Sequence, residues 1–298
     1  MKTSMTNNNE YPGGVVLIYG PPKVGKTISL ATALPLGPVL HISAPGEGNA
    51  AASLRDYPIH QVRLESYDDL MALEIVLLGR PGNWLGDPTD NQVSKLKRPV
   101  DPALINMAAT QIGDTRFSTI ALDGLVSWMS QIFGGHSIEI AGKDLGIGRY
   151  GDEAEMLKDH LAHIATYTGL KFFVLITQDD QVKDEAGGNV IMATHREPAW
   201  DGKAARKIIP PMCDFILPVF TAEELGKQFE GKTWEWEWDG TTETRNRYWG
   251  LKPMKGYWAG GRVPMSATLT GGVIQADFTR LYRRFYMTTQ KETKVEVA

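Results

Sequence analysis

The octapeptide GPPKVGKT, Gly20 to Thr27, is a complete match to the pattern G-x-x-x-x-G-K-[ST], and its flanks constrain the fold more than any other feature of the chain. Before it, Val15, Val16, Leu17, Ile18 and Tyr19 form an uninterrupted apolar run, the signature of a parallel strand buried on both faces. After it, Ile28, Leu30, Ala31 and Leu34 lie at helical spacing, and Pro35 is expected to end that helix. Strand, glycine loop and helix in this order make a phosphate cradle. The amides of Gly20, Pro21, Pro22, Lys23, Val24, Gly25, Lys26, Thr27 and Ile28, where present, face phosphate oxygens; Lys26 reaches the β and γ phosphates, and the Thr27 hydroxyl meets Mg²⁺.

At 298 residues with 42% hydrophobic content, the chain has ample material for one large α/β domain with an appendage. No run approaches the eighteen or so apolar residues of a membrane span, and the polar start MKTSMTNNNE has no leader-like apolar segment. The expectation is a soluble, cytoplasmic protein without a membrane partner. The single cysteine, Cys213, excludes an internal disulfide framework and a cysteine-based zinc cluster, and suits a core position. The net charge of −4 is uninformative, but its distribution is not. Between Arg245 and Tyr286 eight basic residues face one acid, Asp277.

A phosphate cradle needs a second acid at the tip of a neighbouring strand. FSTIALDG supplies it: Ile120, Ala121 and Leu122 lead to Asp123, and Gly124 eases the turn into LVSWMSQIF. Asp123 as a helix N-cap is the competing role. The residue after Asp123 is glycine, so the base that activates water must come from elsewhere. PVLHIS, taken as the strand beside the phosphate-loop strand, runs into APGEGNA, whose carboxylate Glu47 is the candidate base. A third strand, Phe172 to Thr177, ends in Gln178, whose amide can hydrogen-bond the γ-phosphate or the attacking water. Beyond it, 179–209 is expected to be a long glycine-bearing loop. TWEWEWD is expected to pair with RNRYWGLK in a C-terminal β-hairpin around GTTET, its tryptophan ladder facing the core.

The ordered set GPPKVGKT, STIALDG, LITQ and WDGKAARKIIPPMCDFILPV resembles the phage-encoded RecA-like ATPases of the single-strand annealing and recombination group. GYWAGGR followed by DFTRLYRRF is similar to their usual ending, so the likeness spans most of the chain. It implies a RecA-like core over 11–220 with a mainly parallel sheet and helices on both faces, a C-terminal hairpin and helix over 221–290, and short tails at 1–10 and 291–298. It also implies ATP and Mg²⁺ as cofactors, homo-oligomers with nucleotide at the subunit interface, and single-stranded DNA as partner. Lys203, Arg206 and Lys207 in GKAARK are then candidates to complete a neighbour's site. The family pattern departs at SAPGEG, around Glu47, and at AGGR, which leaves Arg262 alone.

Two DNA-binding locations are open. One is the basic C-terminal segment, with Arg283 and Arg284 and with Tyr248, Trp249, Tyr257, Trp258, Phe278, Tyr282, Phe285 and Tyr286 interleaved as stacking residues; the other is the 179–209 segment, with Lys183 and Arg196, together with the glycine-rich stretch 134–151. Two other functions are open as well: a small-molecule kinase using 179–209 as its lid, and an assembly module that holds nucleotide without turnover.

Overall fold

The computed structural model describes residues 14–46, 51–79, 100–134, 149–186, 189–228, 246–252, 257–261 and 272–284. In chain order its strands are β1 (Gly14–Gly20), β2 (Val39–Ser43), β3 (His60–Arg63), β4 (Thr119–Asp123), β5 (Phe172–Ala186), β6 (Asn189–Pro198), β7 (Phe215–Thr221), β8 (Arg247–Gly250), β9 (Gly260–Gly261) and β10 (Val273–Gln275). They form one sheet in the order β10-β8-β7-β1-β5-β4-β2-β3, with β6 on β5 and β9 on β7. The run from β7 through β1, β5, β4 and β2 to β3 is parallel throughout. The fold is therefore α/β with a mostly parallel central sheet.

Apolar residues at successive strand positions fill two cores, one on each side of the sheet. Leu17, Tyr19, Leu40, Ile42, Ile120, Leu122, Phe173 and Leu175 face one core, with the helices Tyr67–Leu78, Arg149–Ile164 and Gly202–Ile208 packed there. Val16, Ile18, Val39, Ala121, Phe172, Val174 and Ile176 face the other, covered by the helix Thr27–Leu36 and by Phe278 and Leu281 of the helix Phe278–Tyr282. Burial on both faces explains why the strand sequences are continuous apolar runs rather than alternating ones.

Four sequence expectations change. The strand PVLHIS is not beside β1: β2 pairs with β4 and β3, while β1 lies between β5 and β7. Apolar runs identify buried strands but carry no information on their lateral order. The 179–209 segment is not a loop. β5 continues past Gln178 to Ala186 and pairs antiparallel with β6, and a helix follows from Gly202. Beyond Gln178, β5 reads DDQVKDEA, which is mostly polar and carries no buried-strand signal.

The expected pairing of TWEWEWD with RNRYWGLK does not form at β8, since both edges of that strand are taken. Tyr248 and Trp249 pair with Phe220 and Val219 of β7 on one side and with Gln275 and Ile274 of β10 on the other. The C-terminal segment thus extends the main sheet, and TWEWEWD itself lies outside the described residues. Finally, the helix after the glycine loop is a 3₁₀ helix that runs through Pro35 to Leu36 and stops at Gly37. Ser29 Oγ and Thr32 Oγ1 each donate to the carbonyl three residues earlier, which favours the tighter winding.

Candidate functional site

Gly20 ends β1 at the carboxyl edge of the sheet, and the chain turns through Pro21 to Lys26 into the 3₁₀ helix. Two backbone positions set the loop's shape. Lys23 has φ of 63°, the one non-glycine residue with positive φ among those described. Gly25 has φ of 98°, and a Cβ there would stand 3.0 Å from Arg247 Nε and 3.3 Å from Ile28 Cγ2. The motif glycine is thus needed for its conformation and for the close approach of an arginine.

Lys26 is buried, and its ammonium donates to the carbonyls of Gly20 and Pro21, both at 2.8 Å. The lysine is folded back over its own loop. Thr27 Oγ1 donates to Asp123 Oδ2 at 2.7 Å. Asp123 is not a helix N-cap; Gly124, left-handed at φ 80°, occupies that position without a side-chain bond, and the aspartate side chain is free to turn toward the loop. Trp128 Nε1 donates to the Asp123 carbonyl at 3.1 Å and holds the turn.

Asp123 reaches Thr27 from one strand further away than expected. β5 separates β4 from β1, and its register places Gln178 opposite Gly20 and Ile176 opposite Asp123. Gln178 is exposed at this edge, between the glycine loop and the acid, and its carbonyl accepts from Ala199 N at 2.8 Å. Tyr19, the residue before the loop, donates its hydroxyl to the carbonyls of Trp258 at 2.7 Å and Arg196 at 3.2 Å. Burial pushes that phenol well above its ordinary pKa, so it remains a donor.

The remaining candidates are spread apart. Glu47 lies outside the described residues. Lys203, Arg206 and Lys207 are exposed on the helix Gly202–Ile208, on the opposite sheet face from the helix Thr27–Leu36. Arg206 pairs with the buried Glu197 at 2.7 Å. Arg196 pairs with Asp179 at 3.0 Å and stands over the Tyr257 ring. Lys183 lies on β5 in the hairpin, and Arg283 and Arg284 follow the helix Phe278–Tyr282, Arg283 exposed. Tyr248, Trp249 and Phe278, offered as stacking residues, are instead fully buried core. Their apolar spacing could not be told from a stacking ladder before the strand pairing was known. Cys213 is buried, as expected of a core cysteine.

Two residues at the site escaped the sequence reading. Arg247 of β8 donates from Nε to the Val24 carbonyl, bringing the C-terminal segment onto the glycine loop. His41 of β2 lies 3.2 Å from Asp123 Oδ2 through Nε2. The HIS within PVLHIS was the available signal for the second, an imidazole in the middle of an apolar strand.

The pair of Thr27 and Asp123 offers hydroxyl and carboxylate oxygens only, the donor class that suits a hard cation such as Mg²⁺. Lys26 adds one positive charge beside them, and the loop amides add partial ones. No helix among the described residues is long and apolar enough to cross a membrane. No protein-family model matches the chain, and no curated protein matches it.

Proposed function

We propose that this chain is a Mg²⁺-dependent ATPase of the RecA-like phosphate-loop type that assembles with copies of itself and acts on single-stranded DNA. The hydrogen bond from Thr27 to Asp123 carries the reading, because it joins the loop motif to the one acid expected to serve its metal. Lys26 would leave the carbonyls of Gly20 and Pro21 for the β and γ phosphates, exchanging neutral acceptors for charged ones. Thr27 and Asp123 would hold Mg²⁺, which neutralises charge developing on the phosphates. Water attacks the γ-phosphorus, the bond to the β–γ bridging oxygen breaks, and ADP leaves with that electron pair. Gln178, between the loop and Asp123, is placed to orient this water, and Glu47 is the candidate to take its proton.

Lys203 and Arg206 sit on the far face of the sheet from the loop's helix, which favours action on a neighbouring subunit's nucleotide rather than their own. The kinase alternative loses support, since the segment expected to be its lid is a paired hairpin. For DNA, burial of Tyr248, Trp249 and Phe278 removes three of the stacking residues assigned to the C-terminal surface, whereas Tyr257, Trp258 and Tyr282 are only partly buried.

Phosphate release with and without single-stranded DNA tests the proposal. Mg²⁺-dependent release that rises with DNA supports it. Release unaffected by DNA removes the nucleic-acid half, and nucleotide binding without release leaves the assembly-module and kinase alternatives.

A further inference from the structure

His41 occupies the centre of β2, between Leu40 and Ile42, and is fully buried. A strand position of this kind is ordinarily filled by a branched apolar side chain. Among the described residues its Nδ1 has no hydrogen-bond partner, so the ring leaves an unsatisfied nitrogen in the core. Stability alone does not explain a histidine here.

The register does. His41 pairs with Ala121 and Ser43 with Asp123, so His41 and Asp123 are diagonal neighbours on adjacent strands. Both lie on the sheet face covered by the loop's helix, as Val39 and Ala121 do. A carboxylate oxygen accepts, so the 3.2 Å approach of Nε2 to Oδ2 assigns that ring nitrogen the donor role. Thr27 donates to the same oxygen over 2.7 Å. Two donors on one oxygen, from a strand on one side and the loop on the other, fix the carboxylate's rotation and reserve Oδ1.

We propose that His41 is a positioning residue for the metal site: it locks Asp123 so that Oδ1 faces the coordination sphere of a nucleotide-bound divalent cation. The inference rests on the ATPase reading above. Outer partners of this kind tune metal affinity by roughly 10- to 100-fold.

The test measures the affinity of a non-hydrolysable ATP analogue across a Mg²⁺ series and in EDTA, with thermal unfolding of each ligand-free variant. His41→Leu removes both the orphaned nitrogen and one of Asp123's two donors, opposing effects that should leave its unfolding temperature close to wild type's. It should bind the analogue normally in EDTA and need about tenfold more Mg²⁺ for the metal-dependent gain. His41→Gln, whose amide can donate to Asp123, should recover most of that gain; His41→Asn, too short, should not. Should His41→Leu not fold, the Gln and Asn pair decides by the same titration. Wild-type Mg²⁺ dependence in His41→Leu and His41→Asn overturns the proposal, as does a fall in unfolding temperature matched by weaker binding in EDTA. If wild type itself gains nothing from Mg²⁺, the ATPase reading falls and this proposal with it.

Discussion

The hydroxyl of Thr27 donates to Oδ2 of Asp123 across 96 positions of sequence and across an intervening strand. The contact closes an oxygen-lined corner at the carboxyl edge of the sheet, and it gives the first expected outcome. Asp123→Asn should fold and bind nucleotide, but its Mg²⁺ affinity should drop by roughly 10- to 100-fold. A Mg²⁺ titration of phosphate release reads this directly; a wild-type curve would remove Asp123 from the metal site.

Lys26→Ala takes away the motif's ammonium, which donates to the carbonyls of Gly20 and Pro21. Charge-assisted hydrogen bonds contribute about 1.5–3 kcal/mol each, so ATP binding should weaken by at least tenfold and hydrolysis should vanish. Calorimetric binding and phosphate release check the two halves separately.

Lys23 at φ 63° is a backbone test of the loop. A left-handed non-glycine residue costs about 1–2 kcal/mol, and glycine's extra freedom in the unfolded chain takes back about 0.5–1 kcal/mol. Lys23→Gly should therefore stabilise the protein slightly, and Lys23→Val should destabilise it, because a branched side chain fits this conformation poorly. Thermal unfolding of the pair decides; the opposite order would mean the loop does not hold this geometry in solution.

Arg206 has two expected roles that one substitution would confuse, since it neutralises the buried Glu197. Arg206→Ala should lower the unfolding temperature by removing a 2.7 Å ion pair from a buried carboxylate. Adding Glu197→Gln should restore that temperature but not turnover, if Arg206 also serves a neighbour's nucleotide. Mixing the double variant with Lys26→Ala subunits should then recover part of the activity. No recovery, with stability restored, would confine Arg206 to its ion pair.

Trp249 separates core from nucleic-acid platform. It is fully buried, packs edge-on to Phe278 with ring centroids 4.9 Å apart, and belongs to a strand paired on both edges. Trp249→Ala should cost about 3–5 kcal/mol of stability. A variant with unchanged unfolding but weaker DNA binding would return the residue to the surface role.

The sequence by itself determined the local pieces of this protein. Val15 to Tyr19, Ile120 to Leu122 and Phe172 to Thr177 are buried parallel strands because their apolar residues leave no solvent face. The loop at Gly20–Thr27 follows from residues whose chemistry is set within eight positions, and Asp123 was found because a strand-terminal acid before glycine is a short-range pattern. What the tertiary structure decided are relations between distant segments. Only strand order puts β5, with Gln178, between the loop and Asp123, and moves β2 away from β1. Only register makes His41 the diagonal neighbour of Asp123, and only the C-terminal strands' place on β7 brings Arg247 to Val24. The physical reason is that an apolar run specifies how deeply a strand is buried but not which strand lies beside it. Lateral order and register arise from packing of the whole sheet, and a site built at strand tips inherits its membership from them.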